Sequence, residues 1–371
     1  MSLSEHKIIE LKHGIMRNHW PRLVGKNGRW VEHGYGYNTS VVMLKTDTGY
    51  TGWGVGKPDT TLKLLLEGAR LSDVFSPEIG VYHKALAAAD MALHDLAGNI
   101  LGIPVSKMIN PNSTMKARVY DGAIYLNDLT QHGDMGVEAV MRDARADALL
   151  GYSDFKIKIG RGKNWMEYEA GLQRDADIVR AIRKEFPNAQ IMVDANDTMD
   201  LKTSIAFMER VKDCDIYWFE EPFRENYDDC MAFKEYLAKE SPKTLLADGE
   251  ADYDVDYVIN LAKKGALDVL LMDPVSFGFT QWRKLIKECE GTNILCSPHG
   301  WGLKVKTNAV AHLCAAYPDI VPTVEGVPGD LTEGVDESGY TMENSIMTIP
   351  EKSGFGMSLE FAKPEPIYKP Y

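Results

Sequence analysis

Seven side chains that can bind a metal or move a proton recur at near-regular steps along this chain. They are Lys158, Asp194, Glu220, Glu250, Asp273, His299 and Glu325, separated by 36, 26, 30, 23, 26 and 26 residues. Each lies at or just past the end of a short apolar run. A strand, a loop and a helix take about that much chain in a β/α barrel, where catalytic side chains project from the C-terminal ends of successive strands. The spacing therefore predicts a single active site.

The carboxylates come first in the chemistry. Asp194, Glu220 and Glu250 would converge from three successive strands, and carboxylates that converge repel unless protonated or bridged by a cation. A lone carboxylate ordinarily pairs with Lys or Arg. Three at successive strand ends argue instead for a shared ion, and an all-oxygen set favours Mg²⁺ over a thiophilic metal. Leu246, Asp248 and Glu250 share parity. Both acids are thus candidates for the third ligand, with Glu250 favoured and Asp248 in reserve or touching substrate. Lys156 and Lys158 alternate with Phe155, Ile157 and Ile159, which places both on the inward face. Two adjacent, partly buried ammonium groups lower each other's pKa, as a base near neutral pH requires. His299, between Pro298 and Gly300, gains a proton-handling role if Asp273 orients it. Glu325 would face these groups and act as an acid if its acidic surroundings raise its pKa. Asn196, two residues past Asp194, is placed to bind substrate. A lysine base, a divalent cation and a histidine suit removal of the proton next to a carboxylate, with the cation neutralising the enediolate that forms.

The elements that would hold this set read as strand then helix, repeated. Strand ends are expected at Tyr120, Lys158, Asp194, Glu220, Asp248, Asp273, Leu295 and Val324, with helices over about 165–186, 200–212, 227–239, 254–264, 280–290 and 305–316. Roughly eight units predict a closed (β/α)8 TIM-type barrel, assigned to residues 116–349. The first 115 residues read differently. Strands over 7–12 and 39–46, a third over 50–54 and a helix over 81–102 predict an α+β capping domain, completed by the tail 350–371. Residues 16–31 carry Arg17, His19, Arg22, Lys26 and Arg29, with Trp20 and Trp30 and no Asp or Glu. This stretch is either a solvated loop or oligomer contact, or a lid whose Arg17, His19 and Arg22 meet an anionic substrate.

Bulk composition narrows the classes. The chain has 371 residues, 44% hydrophobic and 26% charged, with net charge −13. That charge argues against a nucleic-acid surface. No Walker-type loop or dinucleotide fingerprint is present. No apolar run has membrane-spanning length, and the start lacks a signal-peptide core. Five cysteines without paired metal-ligand spacing read as reduced thiols in a cytoplasmic protein.

The motifs Lys156-x-Lys158, Val193-Asp194-Ala195-Asn196, Phe219-Glu220-Glu221-Pro222, Gly249-Glu250 and Pro298-His299-Gly300-Trp301-Gly302 together resemble the enolase superfamily, and within it the mandelate racemase-like group. So does Asp90-Met91-Ala92-Leu93-His94-Asp95-Leu96-Ala97-Gly98 in the first domain. Lys or His bases working with Mg²⁺ are a known pattern of that superfamily. The resemblance implies a Mg²⁺-dependent enzyme with a capping domain over a modified barrel, acting on a small carboxylate substrate and forming a homo-oligomer. It implies Asp194, Glu220 and Glu250 as metal ligands, Lys158 as base with Lys156 its modulator, a His299–Asp273 dyad, and Glu325 as electrophilic acid. The reaction it implies is dehydration of an aldonate or aldarate to a 2-keto-3-deoxy acid. A racemase or epimerase of 2-hydroxy acids shares the first step, and a non-catalytic metal and sugar-acid binding protein is the rival from another class. Met272-Asp273-Pro274-Val275-Ser276 departs from the family order, with Asp273 one residue late. A loop deletion would keep the dyad; a shifted strand would impair it. The basic lid adds an expectation of a second anionic end on the substrate, met by Arg17 and Arg22.

Overall fold

The computed structural model describes residues 2–130, 133–251 and 254–360. Three antiparallel strands open the chain: β1 (Ile8–Val24), β2 (Gly34–Thr46) and β3 (Thr51–Val55). Helix α1 (Asp90–Leu101) packs across them. Gly52 lets it come close, because a Cβ there would lie 2.3 Å from Leu96 N.

Eight parallel strands follow: β4 (Lys116–Ile124), β5 (Phe155–Lys158), β6 (Ile191–Asp194), β7 (Ile216–Glu220), β8 (Leu245–Asp248), β9 (Val269–Leu270), β10 (Leu295–Cys296) and β11 (Val324–Gly326). β4 to β10 pair in that order, and β11 pairs with β4 from the other side. Between β10 and β11 the wall is joined by the Cys296 amide donating to the Ile320 carbonyl at 2.8 Å. Strands buried on both faces, such as β5 and β6, need apolar residues toward the helices, and Phe155, Ile157, Ile191 and Val193 supply them. Inside the barrel, Tyr120, Met192, Trp218, Ala247, Val269 and Leu271 form one packed layer.

Helices α2 (Val137–Ala148), α3 (Tyr168–Glu185), α4 (Leu201–Val211), α5 (Tyr227–Glu240), α6 (Val255–Lys263), α7 (Phe279–Cys289) and α8 (Lys304–Ala316) follow β4 to β10 in turn. Several carry side-chain N-caps: Asp200 accepts from Thr203 N, and Asn226 from Asp229 N. After β11 the described residues hold short antiparallel strands in place of an eighth helix. The fold is a modified TIM-type barrel behind a strand-rich α+β N-terminal unit.

Two elements differ from the sequence expectation. The connection after residue 12 continues β1 to Val24, because Met16, Asn18 and Trp20 are buried while Arg17 and His19 face out. That alternation is a strand period. The helix expected over 81–102 starts only at Asp90. Gly80–Val81 pairs with Phe75–Ser76, and Lys84–Ala89 is a 3₁₀ turn capped by His83.

Buried polar contacts fasten α1 to α7. The Asp90 carboxylate accepts from Thr280 N and Thr280 Oγ1, both at 2.7 Å. His94 Nε2 lies 3.0 Å from Arg283 Nη1, and burial holds this imidazole below its ordinary pKa, so it accepts. Gly354–Met357 also packs on the N-terminal unit, with Phe355 N donating to Asp95 and Trp53 Nε1 to the Met357 carbonyl. The last part of the expected tail, 361–371, lies outside the described residues. Among the described residues no helix is long and apolar enough to cross a membrane. Asp90→Ala removes two acceptors and strands a buried amide, so it is expected to cost about 3 kcal/mol in urea unfolding. An unchanged midpoint would contradict this anchoring role.

Candidate active site

Strand register decides which side chains reach the barrel mouth. Lys158 pairs with Asp194, and Asp194 with Glu220. All three point into the barrel above the packed layer. Glu220 pairs with Ala247, so Ala247 faces inward on β8 and Asp248 faces the helices. Gly249 then turns the chain with φ +118, and Glu250 swings back inward. The parity argument for Asp248 fails at that glycine. Asp248 lies instead with Asp197 and Glu225, and its carboxylate accepts from Gly249 N.

Oxygens of Asp194, Glu220 and Glu250 lie within 4.8 Å of one another. Glu250 Oε2 is buried without a well-directed hydrogen bond, although it lies 2.7 Å from His299 Nδ1. An all-oxygen cluster of this size fits a hard divalent cation. The two lysines share the cluster. Lys158 Nζ donates to Asp194 and Lys156 Nζ to Glu220, while Lys156 also lies 2.8 Å from Glu325. Burial opposes both ammonium charges, but the surrounding carboxylates win and raise both pKa values well above the ordinary lysine range. Lys156 does depress Lys158, as expected, but each lysine has a closer carboxylate, so the net shift is upward and the expected lowering is overturned.

His299 Nδ1 sits between Glu250 at 2.7 Å and Glu325 at 3.0 Å. Burial would depress the imidazolium, yet these two carboxylates push its pKa up to about 10. Glu325 moves the other way from the sequence expectation. Burial would raise it, but Lys156 and His299 hold it down at about 2, so it is an ionised acceptor here. Asp273 does not hydrogen-bond to His299. Its carboxylate accepts from Lys306 Nζ at 2.6 Å and from Val275 N at 2.7 Å. The late position of Asp273 puts it in the turn after β9, where backbone amides and a buried lysine claim it.

The lid residues are corrected as well. Arg22 forks onto the fully buried Asp147 of α2 and lies 3.7 Å from Asp143. His19 pairs with Glu333 on the outer face, and Arg17 also faces out from β1. The tip of the hairpin, residues 25–33, does the covering. Asn27, Arg29, Trp30 and His33 line a cavity of about 170 Å³ together with Lys158 and His299. Asn196 and Glu221 line it too, joined by Asn196 Nδ2 donating to Glu221 Oε2 at 3.2 Å. Asn27, His33, Tyr125, Glu221 and Trp301 are polar or aromatic members that sequence reasoning passed over. Glu221 and Trp301 stood inside motifs already singled out. Nothing local marks His33 or Tyr125.

Residues 139–363 match the family described as Enolase C-terminal domain-like. The chain is 27% identical over 338 residues to the D-galactarolactone cycloisomerase of Agrobacterium fabrum, covering 85% of this chain and 84% of that protein. It is also similar to solved structures of galacturonate dehydratase from a Geobacillus species. A point mutant of that enzyme complexed with Mg has TM-score 0.88 and 28% identity, over 96% of this chain and 93% of the other. The complex with D-galacturonate and 5-keto-4-deoxy-D-galacturonate has TM-score 0.86 and 29% identity, over 96% and 95%.

Two outcomes test this geometry. Glu220→Ala is expected to weaken Mg²⁺ binding by calorimetry by more than the ~10- to 100-fold typical of outer-shell changes; equal affinity would remove Glu220 from the ligand set. Arg22→Ala leaves Asp147 as an uncompensated buried charge and should cost about 3–5 kcal/mol. A lid role would instead show as a raised KM with stability intact.

Proposed function

The chain belongs to the enolase C-terminal domain-like family, and on that premise we propose that it is a Mg²⁺-dependent dehydratase of acid sugars, aldonates or aldarates. The observation carrying this reading is that Lys158 and His299 line one cavity, beside the oxygen cluster of Asp194, Glu220 and Glu250. Loss of water from a 2,3-dihydroxy acid needs two proton-handling groups, one taking the proton at C2 and one protonating the hydroxyl that leaves C3. Asp194, Glu220 and Glu250 would hold Mg²⁺, which when bound offsets the charge that builds on the substrate carboxylate.

Lys158 is the base in this reading. Were Asp194 to hold the cation, Lys158 would lose the carboxylate that keeps it protonated, and burial would favour its neutral amine. It takes the C2 proton. His299, as imidazolium, gives its proton to the 3-hydroxyl, which departs as water. The enol that remains takes a proton at C3 and becomes the 2-keto-3-deoxy acid. Glu325 orients His299 through Nδ1 and is itself held ionised by Lys156. Asn196 and Glu221 present hydrogen-bonding groups to the substrate hydroxyls. A similar enzyme named as a dehydratase, bound to an acid sugar and its keto-deoxy derivative, supports the class. The cycloisomerase relative is the reason to test isomerisation in the same assay, since it would begin with the same proton removal.

Purified protein with Mg²⁺ is expected to convert at least one member of an acid-sugar library to a 2-keto acid that reacts with semicarbazide. Exchange of the C2 proton in D₂O with every hydroxyl retained would assign a racemase or epimerase instead. Lys158→Ala is expected to lower kcat by about 100- to 10,000-fold and to abolish C2 exchange. Retention of exchange would remove Lys158 as the base.

A further inference from the structure

The hairpin tip lines the same cavity as Lys158, Glu250 and His299. Arg29 is the one permanently cationic side chain among the described cavity residues outside the proposed proton-transfer pair. His33 lines the same cavity but is kept neutral, because burial lowers its pKa.

Arg29 is not what holds the tip in place. Asn27 Oδ1 accepts from Arg29 N at 2.9 Å and Trp30 N at 2.6 Å, which closes the turn. Asn164 Nδ2 donates to the Gly28 carbonyl at 2.9 Å, and Trp165 Nε1 donates to the Asn27 carbonyl at 2.7 Å. Gly28 itself seats against the barrel, since a Cβ there would lie 2.7 Å from Thr198 Oγ1 and 2.9 Å from the Ile159 carbonyl. The backbone of the tip is thus fixed by other groups, and the guanidinium is positioned without being consumed. Its described ion pair is loose, 3.6 Å to Asp197 Oδ2, longer than a charge-assisted hydrogen bond of about 2.7–2.9 Å. The Arg29 guanidinium lies over the Trp30 ring at 5.2 Å, which limits where the fork points.

We propose that Arg29 anchors a second carboxylate at the far end of the substrate, so that the acid sugars this site selects are aldarates rather than aldonates. This rests on the acid-sugar reading above. One carboxylate goes to the Asp194, Glu220 and Glu250 end, and the other meets the planar fork that suits a carboxylate in two-point contact. The cavity of about 170 Å³ is below the ~300–1,000 Å³ of drug-sized pockets, the scale of a small acid-sugar ligand.

The test compares galactarate with galactonate and glucarate with gluconate, with Mg²⁺ present, in wild type, Arg29→Gln and Arg29→Lys. Turnover is read as keto acid, and binding as the rise in Tm on adding each compound. Wild type is expected to prefer the aldarate by both readouts. Arg29→Gln should raise the aldarate KM by about 10- to 100-fold, the worth of a charge-assisted hydrogen bond. It should leave kcat and the aldonate KM nearly unchanged, and Arg29→Lys should recover part of the loss. Equal effects on both acids, or none on either, overturn the proposal. If no variant of the assay yields a keto acid, dehydration fails as the reaction. The Tm comparison then still decides Arg29: aldarate stabilisation lost in Arg29→Gln supports the anchor, and its absence or retention overturns it. Should Arg29→Gln not fold, Arg29→Lys, which lacks the fork, carries the same comparison.

Discussion

The barrel mouth holds a set of buried charges that must balance, and much else in the structure follows from it. Lys156, Lys158, Asp194, Glu220 and Glu325 are each at most 3% exposed. Ionised groups withdrawn from water to this degree persist only when each has partners of opposite sign. With His299 protonated, three cations (Lys156, Lys158, His299) face the carboxylates of Asp194, Glu250 and Glu325, while burial and the neighbouring acids push Glu220 well up toward its neutral form. A divalent cation added to that set would bring further positive charge and make proton loss from Glu220, Lys158 or His299 more favourable. The same network that keeps the fold's interior neutral thereby links metal occupancy to the state of the base.

That balance depends on register. A one-residue slip in β5, β6 or β7 would send the lysines or carboxylates toward the helices. The layer of Tyr120, Met192, Trp218, Ala247, Val269 and Leu271 below them opposes such a slip, since it would bring the wrong side chains into a packed interior. Above the layer the strands end in backbone turns that few residues adopt freely. Asn196, Asp197, Glu221 and Gly249 all have φ in the left-handed region. They follow Asp194, Glu220 and Asp248 directly or within a few residues, so strain is concentrated where side chains must be re-aimed at the cavity. Gly249 is the one position where that turn needs no side-chain accommodation, and it decides that Glu250 rather than Asp248 joins the cluster.

The hairpin tip is the second determinant of the site. Residues 16–24, read from their charge as a lid, serve as strand. Their period-2 alternation outweighs the unusual sign of their charges, and Arg22 is drawn to the buried Asp147. The covering role passes to 25–33, which turns at Asn27 and docks through Gly28. The unusual charge composition falls on the hairpin whose tip lines the cavity, but of the arginines it singled out Arg17 faces out and Arg22 pairs with Asp147. Whether an arginine on a strand faces the cavity, the solvent or a buried aspartate depends on partners far away in sequence.

What the sequence determined by itself is the part governed by local periodicity and spacing. Short apolar strands alternating with amphipathic helices prescribe the barrel, and the intervals between charged residues prescribe one site at its mouth. The alternation in Phe155–Lys158 is enough to put both lysines on one face. The tertiary structure alone decided the long-range electrostatics. It raised the lysine pKa values, lowered that of Glu325, gave His299 two carboxylate neighbours in place of Asp273, and committed Asp273 to Lys306. It also brought His33, Tyr125 and Arg29 to the cavity. Periodicity acts over a few residues and can be read along the chain. A pKa or a pairing depends on which charges lie within a few ångströms, and only the closed barrel brings those together.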